Sequence, residues 1–307
     1  MSFFSWLRNP MGNRARRARP RAPAPRFRPR LEALEGRCVP TSTTLKVTSL
    51  LDSGPGSLRY EIAQAQSNDT IVFDFGNKKA NSTPHTITLT SGELDIKKNL
   101  TIQGPGAGLL TVTSTGSYDT GSRIFEVDYA GTTASLSGMT ISNGNSYSRN
   151  PAFGVPSPYD GTGGGVLNFG RLTISGCTLS GNTAFGGPGG AIANFGTLAV
   201  SACTLSNNIT TGGQGGGIYT AGTLIVSATT LSGNHAFADF PNYGGGIYND
   251  FGATLTVSGC TLTGNTADAG GGIYNAGTLT VSNSSFSSNT PDNIFGPYID
   301  GGGNSFT

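Results

Sequence analysis

Gly163-Gly164-Gly165-Val166-Leu167-Asn168-Phe169-Gly170-Arg171-Leu172-Thr173-Ile174-Ser175-Gly176-Cys177-Thr178-Leu179-Ser180-Gly181-Asn182-Thr183-Ala184 is the stretch that decides the fold, because it recurs. The apolar residue behind the glycines returns as Val166, Ile192, Ile218, Ile247 and Ile273, in steps of 26, 26, 29 and 26. A second anchor returns as Leu172, Leu198, Leu224, Leu255 and Leu279. A third returns as Leu179, Leu205, Leu231, Leu262 and Phe286. The longer step matches extra residues at 239–243 and 250–251, as loops on a repeating coil would show.

Within each copy, apolar and polar residues alternate in pieces of three to five, such as Leu172-Thr173-Ile174 and Cys177-Thr178-Leu179. Alternation with period two marks strands, and Thr, Val and Ile suit them. Gly and Asn separate the pieces as turns require, leaving no room for a helix of ordinary length. One such coil cannot bury its inner face alone, so copies must stack. Stacking at about 4.8 Å pairs each strand with its equivalent in the next coil. The expected fold is therefore all-β: a right-handed parallel β-helix of three short strands per coil. The handedness follows the general preference of parallel crossovers.

Regular repeats cover 163–307, and irregular coils cover 41–162. Examples are Thr86-Ile87-Thr88-Leu89, Leu100-Thr101-Ile102 and Ile124-Phe125-Glu126-Val127. Residues 143–162 read as a Gly/Ser/Asn/Pro-rich insertion carrying Tyr147 and Tyr159. One helical stretch stands at 57–66, with Leu58, Ile62 and Ala65 on one face and Ser57 as N-cap. It is expected to cover the open N-terminal end of the solenoid, whose first coil otherwise exposes an unpaired edge.

The composition agrees. Glycine supplies 48 residues of 307, far above the usual share of about 7%. Charged residues reach only 12%. One Trp, two His and four Cys exclude a dense metal or disulfide scaffold. No apolar run reaches the roughly 20 residues of a membrane helix, and no cofactor motif is present.

The charge is split. Residues 1–40 hold Arg8, Arg14, Arg16, Arg17, Arg19, Arg21, Arg26, Arg28, Arg30 and Arg37 against Glu32 and Glu35. This part is also rich in Pro and Ala and lacks apolar periodicity, so it reads as an unfolded leader that targets the chain. Without aromatics between the arginines, it does not read as a nucleic-acid arm. A chain beginning at Thr41 is accordingly expected to melt at the same temperature as the full chain. A large drop would assign the leader a part in the fold.

Two resemblances add to this reading. Leu31-Glu32-Ala33-Leu34-Glu35-Gly36-Arg37 resembles the Leu-Glu-x-Leu-Glu-x-Arg signature near the N-terminus of many secreted or surface proteins of planctomycete bacteria. It implies export. Gly189-Gly190-Ala191-Ile192, Gly-Gly-Gly-Ile at 215–218, 244–247 and 270–273, and Phe286-Ser287-Ser288-Asn289 resemble polymorphic outer membrane protein repeats. Leu replaces Phe at Leu179, Leu205, Leu231 and Leu262. That resemblance spans about residues 41–307 and implies an adhesin-type β-helix, extracellular or at the cell surface. The chain departs from autotransporting members in ending at Thr307 without a membrane barrel.

Candidate chemistry is sparse. Asn182, Asn208, Asn234, Asn265 and Asn289 occupy one repeat position and are expected to form a structural amide ladder. Asn168, Asn194, Thr220, Asn249 and Asn275 form a second column. Cys177, Cys203, Thr229, Cys260 and Ser284 share a position that reads as small core filler, although stacking leaves a Cys177–Cys203 disulfide conceivable. The late acids Asp239, Asp250, Asp268, Asp292 and Asp300 fall at different repeat positions, unlike a fixed catalytic pair. Lys97, Lys98, Arg123, Glu126, Asp128 and the 143–162 insertion could instead form a catalytic groove.

The residues after the anchor are Leu167, Ala193, Tyr219, Tyr248 and Tyr274, which alternation turns outward. Tyr219, Tyr248 and Tyr274 are therefore the candidate ligand strip, for the C–H faces of sugars, or else a self-stacking ladder. The function expected from all this is a non-catalytic, monomeric, exported surface or matrix protein contacting glycan. A polysaccharide lyase or glycoside hydrolase of the pectate-lyase-like class is the alternative.

Overall fold

A computed structural model describes residues 42–115, 122–128, 130–147, 159–238 and 241–307. The leader with its Leu31–Arg37 motif and Cys38, most of the insertion after Tyr147, and Asp239 lie outside the described residues. The described part is a right-handed parallel β-helix. Its strands form stacked parallel sheets of ten, nine, eight and four strands, in which each coil contributes one strand to each sheet it enters.

Register follows the repeat. Val166, Ile192, Ile218, Ile247, Ile273 and Ile294 are successive partners in the eight-stranded sheet. Leu172, Leu198, Leu224, Leu255 and Leu279 are partners in the ten-stranded sheet, and Leu179, Leu205, Leu231, Leu262 and Phe286 in the nine-stranded one. All of these side chains except the partly buried terminal Ile294 are at most 2% exposed, so the core is a set of columns along the axis.

The coil is richer than three strands. Asn145–Tyr147, Thr183–Phe185, Ile209–Thr211 and His235–Phe237 form the four-stranded sheet. Their middle residues, Ser146, Ala184, Thr210 and Ala236, are buried. These small side chains let a fourth short strand close the coil between the Asn turn and the next glycines. With Ser, Ala or Thr as the inward residue, the segment shows no recurring large apolar anchor that would reveal such a strand.

The glycine pair has two separate causes. Gly189 sits at φ +80, in the left-handed region that favours glycine. A Cβ on Gly190 would lie 2.1 Å from the carbonyl oxygen of Gly216 in the next coil. The third position holds a buried Ala191 in one coil, whereas a Cβ on Gly217 or Gly246 would lie 2.5 Å from a carbonyl oxygen of the next coil.

At the N-terminal end, the helix Leu58–Gln64 packs against the first coils, and Ser57 accepts a capping hydrogen bond from Tyr60 N–H. Leu58, Ile62 and Ala65 join the core. Arg59 ties the helix down by pairing with Asp52 at 2.7 Å and donating to the carbonyls of Gly92 and Glu93. A second, four-residue helix, Lys78–Asn81, was not expected from the sequence.

Candidate functional site

The amide ladder is continuous. Each Nδ2 of Asn182, Asn208, Asn234 and Asn265 donates at 2.9 Å to Oδ1 of the next asparagine along the axis, ending on Asn289. Taking Asn234 as the example, its Nδ2 also donates to Leu205 O. Its Oδ1 accepts from both Nδ2 and the backbone N–H of Asn208. Both donors and both acceptor positions of the amide are thus used inside a fully buried column.

The second column is interrupted. Asn168 donates to Asn194 Oδ1 at 2.7 Å, and Asn249 to Asn275 Oδ1 at 2.7 Å. Thr220 stands between these pairs and accepts from Asn194. Asn249 Oδ1 is buried without a partner. Elsewhere this oxygen accepts from the glycine two residues on, as in Asn168 with Gly170. The two-residue insertion after Asn249 displaces that glycine. Restoring the amide with Thr220→Asn is expected to stabilise the fold by about 1 kcal/mol, read as a raised melting temperature. A lower melting temperature would contradict this account of the gap.

The three described cysteines are free thiols. Each has a role beyond filling space. Cys177, Cys203, Thr229, Cys260 and Ser284 all donate to the carbonyl two residues back. Sγ and hydroxyl oxygen also accept from the preceding coil, as in Cys177 N–H to Cys203 Sγ. Any small side chain with a donor and an acceptor serves this turn, which is why Cys, Thr and Ser interchange. Burial pushes the Cys177 thiol up to about 12, so it is not a nucleophile at neutral pH.

The outward column of the eight-stranded sheet unites two groups that the sequence keeps far apart. Asp95, Glu126, Leu167, Ala193, Tyr219, Tyr248, Tyr274 and Phe295 are consecutive partners across its strands. The face therefore runs from a charged end, through a covered middle, to an aromatic end.

At the charged end, Arg123 is only 6% exposed and reaches Glu126 at 2.9 Å and Glu93 at 3.2 Å. It also donates to Tyr159 O. Lys97 pairs with Asp95 at 2.5 Å and lies 3.7 Å from Asp128. Lys98 does not join them, because its ammonium caps the helix carbonyls of Ala63 and Ala65. Burial raises the Glu126 carboxyl to about 7, against the attraction of Arg123 and with the help of neighbouring Glu93 and Asp95.

The raised value makes the fold prefer protonated Glu126. That contribution is fully present below the ordinary value of 4.5 and is lost as pH rises through about 7. Between these pH values the wild type should lose more stability than a Glu126→Gln variant, as read from melting temperatures across the series. Parallel curves would place the Glu126 titration at its ordinary value.

In the middle, Leu167 and Ala193 point outward by register yet are fully buried, a departure from the expectation that alternation exposes them. Here Tyr159 packs edge-on against Phe169 and Phe195, with centroids at 4.6 and 5.3 Å. Neither phenylalanine was singled out in the sequence, because they stand two positions beyond the tyrosine column.

At the aromatic end, Tyr219 and Tyr248 stack at 5.7 Å and 9°, and Tyr248 and Tyr274 at 5.2 Å and 10°. Phe195, Phe295 and Tyr243 extend the stack. The three tyrosines are half-buried rather than exposed, and Tyr248 carries a ring on each face. They present edges and hydroxyls, not the open faces expected from the sequence.

Tyr219 Oη donates to Asp250 Oδ2 at 2.5 Å, while Phe251 N–H holds Asp250 Oδ1. Burial first, then this bond and the carboxylate charge, push the Tyr219 phenol well above its ordinary value. Burial and Asp250 raise Tyr248 as well. The other described late acids serve backbone N–H groups, Asp268 that of Asn242, Asp292 that of Gly270 and Asp300 that of Gly302. No group of metal-ligating side chains occurs among the described residues, and no described helix is long and apolar enough to cross a membrane.

No family model and no curated protein matches the chain. Among solved structures, it is similar to ORF18 of Geobacillus virus E2, with 12% identity and a TM-score of 0.32. The match covers 85% of this chain and 59% of that one.

Proposed function

We propose that the protein is an exported, non-catalytic β-helix of adhesin type, at the cell surface or in the extracellular matrix, which contacts glycan. The observation that carries this reading is the outward run of Tyr219, Tyr248 and Tyr274 on successive coils. An extended row on a flat sheet suits a polymer, which meets successive coils with successive units. The phenolic hydroxyls and ring edges supply weak, repeated contacts. Export rests on the resemblance of residues 31–37 to a surface-protein signature.

A polysaccharide array read for both binding and cleavage tests the proposal. Saturable binding without product is expected. Replacing all three tyrosines by Phe keeps the stack and removes the hydroxyls, so it should weaken binding in a protein that stays folded, with a small loss of melting temperature from the Tyr219–Asp250 bond. Unchanged binding would reduce the strip to a structural ladder. A second reading, polysaccharide cleavage, is favoured by one feature: a protonatable Glu126 beside Glu93 and Arg123, the kind of environment that tunes a general acid. Product that disappears in Glu126→Gln would replace the first reading with the second.

A further inference from the structure

The insertion at 250–251 places a carboxylate where the other regular coils have none, the irregular coil of Asp128 being the other described one with an acid at this turn. The equivalent turns carry Phe169, Phe195, Ala221 and Ala276, each followed by glycine. Only in this coil does an acid follow the column asparagine, and it is bonded to Tyr219. Asp250 is itself fixed through its other oxygen by Phe251 N–H. Tyr219 is in turn the first of a run of stacked phenols, continuing through Tyr248 and Tyr274 to Tyr243, with Tyr243 and Tyr274 at 4.6 Å and 19°. Among these four phenols, the bond to Asp250 is the one hydrogen bond to a carboxylate.

We propose that Tyr219 is a redox-active tyrosine, oxidised by small one-electron acceptors such as oxygen-centred radicals, with Asp250 receiving its proton and the stacked Tyr248, Tyr274 and Tyr243 relaying electrons. Removing an electron from a neutral phenol without moving its proton produces a strongly acidic radical cation. A carboxylate already bonded to the hydroxyl avoids that species. The electron passes to the oxidant, which leaves as its anion and takes a proton from water. The O–H bond of Tyr219 breaks, its proton forms a new O–H bond on Asp250, and a neutral phenoxyl radical remains.

Oxidation can also begin elsewhere on the strip. A radical formed on Tyr248, Tyr274 or Tyr243 has given its proton to water. It is reduced by an electron moving through the stacked rings from Tyr219 and regains a proton from water, while Tyr219 releases its own to Asp250. The radical therefore settles where the base is. The raised Tyr219 phenol agrees with this role: the group stays protonated in the resting state, so electron and proton must leave together.

The test uses the full chain and photogenerated ruthenium(III) tris-bipyridine as oxidant, with the radical followed by its absorption and trapped for paramagnetic resonance. The wild type should form a tyrosyl radical that Tyr219→Phe removes or scatters over other tyrosines. Asp250→Asn should slow its formation several-fold, and Asp250→Glu should recover most of the rate. Far-ultraviolet circular dichroism and melting establish that each variant is folded. Should Asp250→Asn fail to fold, Tyr219→Phe, which preserves the stack, decides the matter. Equal rates in wild type and Asp250→Asn, or an unchanged radical in Tyr219→Phe, would overturn the proposal.

Discussion

Replacing Ile218 by Asp is expected to abolish the cooperative melting of the solenoid. Ile218 is fully buried in an interior coil, between Ile192 and Ile247 of the same column. The change removes an apolar side chain whose burial contributes about 2 kcal/mol. It also puts a carboxylate into a column of aliphatic groups, which costs several kcal/mol more or forces protonation. A total on the order of 5 kcal/mol is comparable with the whole stability of many domains. In a one-dimensional stack the damage falls on both neighbouring interfaces. Ile225→Asp is the matched control, since Ile225 is 46% exposed on the outside of the ten-stranded sheet. That variant should stay within about 1 kcal/mol of the wild type. Similar loss at both positions, measured by thermal melting, would contradict the assigned alternation.

The second large effect is expected at Asn234→Leu. The new side chain is similar in size and apolar, so a hydrophobicity argument alone would predict a gain. The ladder predicts the opposite. Loss of the amide leaves Nδ2 and the backbone N–H of Asn208 without an acceptor, and one lone pair each of Leu205 O and Asn265 Oδ1 without a donor. Each buried orphan costs about 1–3 kcal/mol, and partial relaxation limits the sum to on the order of 4 kcal/mol. The same substitution at Asn289, where the ladder ends, removes as many bonds, but that residue is 8% exposed, so water can reach the orphaned groups and the cost should be smaller. A ranking in which Asn289→Leu is the worse variant would show that the column is not a cooperative unit.

Much of this molecule is written in the sequence as repetition. The Ile, Leu and Leu/Phe anchors gave inward columns, and the asparagine column was legible as a ladder. The Gly-Gly pair marks a turn in each regular coil where a left-handed residue is followed by close backbone contact. All of these are local patterns restated at the same step, so in-register stacking fixes the partner of each residue once the coil is recognised. The helix at the N-terminal end was legible too, because its apolar spacing and Ser57 cap lie within ten residues.

Only the tertiary structure decided the rest. That Leu167 and Ala193 lie beneath a cover, while Tyr219, Tyr248 and Tyr274 give their faces to one another, depends on which side chains share the outer surface. Alternation tells which way a residue points and not what it meets there. The meeting of Arg123 with Glu93 and Glu126, the diversion of Lys98 to a helix end, and the bond from Tyr219 to Asp250 arise from irregular coils and insertions. Their geometry has no period to read. In this protein the repeated part of the sequence determines the scaffold through strand pairing, and the departures from repetition acquire their chemistry only when the coils bring them side by side.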